Sequence, residues 1–173
     1  MTVSVVIPAY NATAFLERTV PAVLDLQGAL EWIWVDDGST DATGVELRRL
    51  TQGHPSVRIL ELGRNEGRAA ARNAGIELAK GDWIACLDVD ARPRPGYLLA
   101  HQEVFARPEA VVSMGSIHPA DPVPGDPYSQ YLSAYPRGVP SRQLVASWKH
   151  FVTCAACIRA DALRSVGCFD ESI

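Results

Sequence analysis

Apolar and polar positions along the chain follow two alternating periods. Val3-Ser4-Val5-Val6-Ile7 is a β-branched run closed by Pro8, which predicts a short central strand. From Thr13 to Leu26 the apolar residues Phe15, Leu16, Val20, Val23 and Leu24 fall on a helical stripe, with Pro21 as a kink or the start of a second segment. Trp32-Ile33-Trp34-Val35 predicts a second strand and Val57-Arg58-Ile59-Leu60 a third. Between them, Asp41 is placed to cap a helix through Val45, Leu47 and Leu50. Gly67 to Lys80 reads as an alanine-rich helix stopped by Gly81, and Trp83 to Leu87 as a fourth, buried strand. Strand and helix thus alternate with short connections. That pattern predicts an α/β fold, with a mostly parallel central sheet and helices on both faces.

Beyond Asp90 the pattern loosens. Pro95 and Gly96 open a helix through Tyr97, Leu98 and Phe105, and Ala110 to Gly115 predicts a strand. Residues 118–143 form a proline-rich loop: Pro119 to Pro140 carry six of the chain's twelve prolines. Val152 to Ile158 predicts a further strand, followed by a short helix from Asp161 to Val166. The 173 residues suit one domain, residues 1–173, with enough chain to bury a core.

Composition narrows the function classes. Hydrophobic residues make up 47% and charged residues 21%, as in soluble globular proteins. Lys and Arg total 16 against 20 for Asp and Glu, a net charge of −4, which argues against a nucleic-acid or anionic-membrane surface. No apolar run approaches a membrane span or a signal h-region, so a cytoplasmic location is expected, at the inner face of the membrane in a longer parent. Cys154-Ala155-Ala156-Cys157 has C-x-x-C spacing, but Cys86 and Cys168 make no second pair and no His stands at ligand spacing. Small buried hydrophobes are the expected role of these cysteines.

Three strand ends carry polar clusters: Pro8-Ala9-Tyr10-Asn11, Asp36-Asp37-Gly38-Ser39-Thr40-Asp41 and Asp88-Val89-Asp90. Parallel strand order brings all three to one rim, where open α/β sheets bind ligands. Clustered acids repel unless a cation or donor groups balance them, and Mg²⁺ or Mn²⁺ bridged by a nucleoside diphosphate would do so. Tyr10 offers a ring for a base to stack on, and Asp37 an acceptor for the N–H of a uracil-like base. Asp36, Ser39 and Asp41 also suit plain turns and caps. Arg64, Arg68 and Arg72 are spaced by four. Arg68 is equally well explained as a solvated surface residue, whereas Arg72, within Ala71-Arg72-Asn73-Ala74-Gly75, is expected to point inward.

These residues resemble the family-2 glycosyltransferases with the GT-A fold. The resemblance is carried by Val5 to Asn11, by Val35 to Asp41, by Asn65-Glu66-Gly67 running to Ala71-Arg72-Asn73, and by Gly81 to Asp90. A weaker echo follows in Ile158 to Leu163 and Val166 to Glu171. The resemblance implies a Rossmann-like sheet and a nucleotide-sugar donor, usually a UDP-sugar. It places Pro8, Ala9 and Tyr10 at the base and ribose, Asp37 on the base, and Asn65 and Arg72 near the nucleotide. Asp88, Val89 and Asp90 would lie at the diphosphate, with Asp90 binding Mg²⁺ or Mn²⁺ and Asp88 holding the ribose or the metal's water shell.

The implied reaction is inverting transfer to the hydroxyl of a glycan, lipid or small-molecule acceptor. The family's base is an Asp several residues beyond the Gly-x-Phe-Asp segment, so it is expected after Ile173. Asp170 and Glu171 belong to the preceding motif, and the Gln-x-x-Arg-Trp motif of many processive members is absent. The chain is therefore expected to be the donor-binding part of a longer enzyme, binding nucleotide but transferring weakly or not at all. Two rivals remain: a non-catalytic module of the same fold, and a sugar nucleotidyltransferase. The second would want a Gly-rich loop and a Lys near the first strand, and Pro8 to Thr13 has neither.

Overall fold

The computed structural model describes residues 1–117, 137–138 and 151–172. Four parallel strands, β1 (Val3–Ala9), β2 (Ala29–Asp36), β3 (Val57–Glu61) and β4 (Trp83–Cys86), are linked by the helices α1 (Thr13–Leu24), α2 (Thr43–Leu50) and α3 (Arg68–Leu78). Next come α4 (Tyr97–Phe105), β5 (Val112–Met114) and β6 (Ser116–Ile117), the last paired with β7 (Arg137–Gly138). A 3₁₀ turn at Thr153–Ala155 leads into β8 (Ala156–Arg159) and α5 (Ala160–Ser165). The main sheet has the order β3-β2-β1-β4-β8-β5, and β8 runs antiparallel to both its neighbours.

Because side chains alternate across a strand, the sheet sorts its residues onto two faces. Val5, Ile7, Trp34, Trp83, Ala85 and Leu87 pack with Leu16, Val20, Leu47, Leu98 and Phe105, and the rings of Trp83 and Phe105 stack at 4.4 Å. Val6, Ile33, Val35, Ile84 and Cys86 pack on the other face with Ala71, Ile76, Ile158 and Leu163. Gly75 lets α3 approach that second face closely: a Cβ there would stand 2.5 Å from Cγ1 of Val6 and 3.1 Å from Cγ2 of Val35.

Three sequence expectations need correction. Pro21 does not restart α1; it sits inside the helix, and the Asp25 amide still bonds the Pro21 carbonyl at 3.0 Å. The carbonyl that loses its donor belongs to exposed Glu17, where water can replace it. The stretch expected as one strand from Val152 is a 3₁₀ turn followed by a four-residue strand. Nor does Pro8 end β1, which continues through Ala9 against β2. The proline-rich loop lies outside the described residues except for Arg137–Gly138.

Candidate functional site

Pro8 does end something, namely the ladder between β1 and β4. In a parallel pair, successive residues aim their backbone groups to opposite sides. The Ala9 carbonyl accepts the Asp37 amide on the β2 side at 2.8 Å, whereas the Val6 carbonyl accepts the Leu87 amide on the β4 side at 3.1 Å. Pro8 faces the same way as Val6 but has no N–H to give. Pairing with the β4 segment therefore stops at Leu87, and Asp88-Val89-Asp90 leaves the sheet beside the end of β1. The Ala91 amide closes the turn on the Asp88 carbonyl at 2.9 Å.

The structure brings the three predicted clusters to one rim and gives most of their acids backbone partners. Asp36 Oδ1 accepts the Ser39 amide at 3.0 Å. Asp37, 3% exposed, accepts the amides of Glu66 at 2.7 Å and Gly67 at 3.0 Å, and so fixes the entry to α3. Asp41 ties two helix starts together. Its Oδ1 accepts Thr43 N and Oγ1 at 2.9 and 2.5 Å, and its Oδ2 accepts Thr13 N and Oγ1 at 3.3 and 2.7 Å. Burial acts to raise the Asp41 pKa, but these bonds outweigh it and hold the group at about 2. Asp41 thus serves both α1 and α2 from one residue before the cap position it was expected to fill. The cluster at 36–41 needs no cation to balance it, because N–H and O–H donors already do.

The loop carrying Asn65 is pressed against this cluster. Gly38 has φ +66, and a Cβ there would stand 2.6 Å from both Arg64 Cα and Asn65 N. Asn65 itself is exposed. Tyr10, 46% exposed, sits beyond buried Ala9 and half-buried Pro8. Asn11 follows at φ 47, its Oδ1 accepting the amides of Thr40 at 2.8 Å and Asp41 at 3.3 Å. The ends of β1 and β2 are thereby stitched into one rigid edge.

Arg72 points inward as expected, its side chain 11% exposed, and donates to Asp88 Oδ1 at 2.6 Å. Its Nε is buried without a partner among the described residues. Arg68 is exposed. Val89 is half-buried and packs on the first core face, which turns Asp90 outward. Among the described residues, Asp90 has no hydrogen bond or ion pair, in contrast with the four other rim aspartates. Asp90 and the remaining oxygen of Asp88 offer hard oxygen ligands. No group of three or more ligating side chains converges among the described residues. That donor set fits a Mg²⁺ or Mn²⁺ ion completed by phosphate and water rather than an all-protein cage.

Sequence reading missed Cys154 as a neighbour of this site. Its thiol lies against the Asp88 carboxylate. Burial first, and then the charge of Asp88, push it up to about 11, so it stays protonated at neutral pH. Burial likewise raises Cys86, to about 12, and Cys157. No spacing rule links Cys154 to Asp88, because the contact depends on β8 returning antiparallel beside β4. The roles of Asn11 and Asn73 were also missed. Each is a short amide that bonds backbone far away in sequence, which composition cannot reveal.

The doubly covered, mostly parallel sheet with an acid-bearing rim beyond β1, β2 and β4 has the GT-A fold. The chain matches the family "Glycosyl transferase family 2" over residues 4–167 and belongs to that family. It is 35% identical over 179 residues to the pre-mycofactocin glycosyltransferase of Mycobacterium tuberculosis, covering 99% of this chain and 36% of that protein. It is 41% identical over 97 residues to the succinoglycan biosynthesis protein ExoO of Rhizobium meliloti, covering 56% of this chain and 27% of that protein. Among solved structures, the mannosyltransferase PcManGT of Pyrobaculum calidifontis, in complex with GDP-Man and Mn²⁺, superposes with a TM-score of 0.71 at 23% identity, covering 99% of this chain and 48% of that one. TarS of S. aureus in complex with UDP-GlcNAc gives 0.71 at 19% identity, covering 96% and 47%. At those identities the likeness is one of fold. The chain spans about half or less of the length of these relatives. Among the described residues no helix is long and apolar enough to cross a membrane.

Proposed function

We propose that this protein carries the donor site for inverting transfer of a sugar from a nucleotide-sugar, a UDP-sugar in our reading, to an acceptor hydroxyl, with Mg²⁺ or Mn²⁺ bound. The observation that carries this reading is the division of labour at the rim. Asp36 and Asp41, and Asp37 in part, build a rigid edge, while exposed Asp90, next to Asp88 where the β1–β4 ladder stops, has no partner among the described residues. The complexes of relatives with GDP-Man and Mn²⁺ and with UDP-GlcNAc support the donor class.

In this reading Tyr10 stacks on the base between Pro8 and Ala9 and the Asn65 loop. Each Asp37 oxygen keeps a lone pair beyond its backbone bond, so one can accept a base N–H. Asp88, held by Arg72, faces the ribose or the water around the ion, and Asp90 ligates the ion directly. When bound, the cation neutralises charge on the leaving diphosphate as a Lewis acid. The acceptor oxygen bonds to the anomeric carbon as the bond from that carbon to the diphosphate oxygen breaks, and the electron pair leaves with the diphosphate. The acceptor hydroxyl's proton passes to a carboxylate base, which we assign to none of the described residues. Asp170 accepts Ser172 N and Oγ at 2.9 and 2.7 Å, and Glu171 accepts Asn73 Nδ2 at 2.7 Å.

Calorimetry with UDP and Mn²⁺ tests the site. Binding should require the metal and fall in Asp90→Ala and Asp37→Ala. No UDP binding, or binding unchanged in both variants, would overturn the assignment.

A further inference from the structure

Two consecutive residues of α3 face different parts of the chain. Arg72 holds Asp88 at the rim. Asn73 holds the backbone of Phe169, 96 residues away, from both sides. Its Oδ1 accepts the Phe169 amide at 3.0 Å, and its Nδ2 donates to the Phe169 carbonyl at 2.8 Å and to Glu171 Oε1 at 2.7 Å. A carboxamide is the short side chain that offers an acceptor and two donors in one plane. Aspartate would place a second negative group against a carbonyl and a carboxylate.

The segment held this way needs an anchor. Gly167 and Cys168 both have positive φ, 84 and 63, where the chain leaves α5, and their amides bond back to Arg164 and Leu163. Among the described residues, Ser172 bonds within the segment, to Asp170. The Phe169 ring stands 6.0 Å from the Arg72 guanidinium, so the clamped residue is one contact away from Asp88.

We infer that Asn73 is a positioning residue: it fixes residues 168–172 against the donor rim, and through Arg72 it couples their order to occupation of that rim. The coupling rests on the donor reading above, whereas the clamp itself does not. Donor binding at Asp88 and Asp90 should therefore leave a mark at Phe169 that needs Asn73 but not direct contact with nucleotide.

Amide resonances and hydrogen exchange of the full chain test this, with Mg²⁺ and UDP as the probe. Without ligand, Asn73→Ala and Asn73→Asp should speed exchange at Phe169 by about tenfold or more, while the β1 and β4 amides keep their protection. In the unsubstituted chain, Mg²⁺–UDP should shift the amides of Asp88 to Asp90 and also those of Phe169 to Glu171. In Asn73→Ala the first set should still shift, with affinity lowered about threefold because coupling between the two sites is reciprocal, and the second should not. Unchanged exchange at Phe169 in both variants would overturn the clamp. Shifts at Asp88 to Asp90 without any at Phe169 in the unsubstituted chain, or an affinity unchanged in both Asn73→Ala and Asn73→Asp, would overturn the coupling. Absence of UDP binding would defeat the donor reading and the coupling together, leaving the exchange result to decide the clamp.

Discussion

The two ends of the sheet use the same chemistry for opposite purposes. At the N-terminal end, Glu31 in β2 is 7% exposed and fully engaged. Its Oε1 accepts Ser4 Oγ and the Lys80 amide, each at 2.7 Å, and its Oε2 accepts Arg58 Nη2 at 2.6 Å. Ser4 Oγ in turn accepts the Gly81 amide at 2.8 Å, and Arg58 also reaches the Leu78 carbonyl. Burial acts to raise the Glu31 pKa, but these bonds outweigh it and leave the group lowered and ionised. This network locks the turn between α3 and β4. At the C-terminal end, Asp36, Asp37 and Asp41 do similar work, but Asp90 has no partner among the described residues. An acid's role here is set by what already satisfies it, not by its presence in a cluster.

That contrast can be broken at the closed end first. Glu31→Ala should cost about 2–3 kcal/mol, because it strands Arg58, the Ser4 hydroxyl and the Lys80 amide, with partial exposure of Arg58 limiting the loss. Chemical denaturation measures this, and UDP affinity in the same variant should stay within about twofold. A large loss of binding would mean that the two ends are not independent.

The rigid edge of the open end comes next. Gly38→Ala puts a Cβ onto Arg64 and Asn65 in a left-handed backbone, and should cost about 2 kcal/mol. It should also weaken UDP binding, since the loop it displaces carries Asn65. Thermal melts and calorimetry on one sample separate the two effects.

Asp41 provides a pH test with a defined sign. Its folded pKa is depressed from 3.8 to about 2. The stability it contributes is therefore present above pH 4 and lost as pH falls towards 2. Asp41→Asn should be less stable at neutral pH and show a flatter decline across that window, read from urea denaturation at stepped pH. The smallest effect is expected at Arg72. Arg72→Lys keeps the charge but loses the planar fork, and should lower UDP affinity about threefold.

Much of the fold was legible because the strands and helices carry clear periods. The rim was legible because a parallel sheet must gather its strand ends on one side. The limits have physical causes. Pro8 reads as a strand terminator, yet its missing donor matters only on the β4 side, and pairing partners are not visible in a one-dimensional pattern. Asp36, Asp37 and Asp41 look like a cation site until their amide partners are placed, and Glu66 and Gly67 lie about thirty residues from Asp37. Asn73 and Cys154 acquire their roles only when β8 and α5 fold back beside β4 and α3. The expected loop at 118–143 falls mostly outside the described residues.

The most direct measurement is calorimetry of UDP with Mn²⁺ on the unsubstituted chain and on Asp90→Asn. The free carboxylate should prove functional and not structural: affinity should fall by about 100-fold, while denaturation shows stability unchanged within about 0.5 kcal/mol. Affinity within about threefold of the unsubstituted chain, or a stability loss as large as that of Glu31→Ala, would contradict the account.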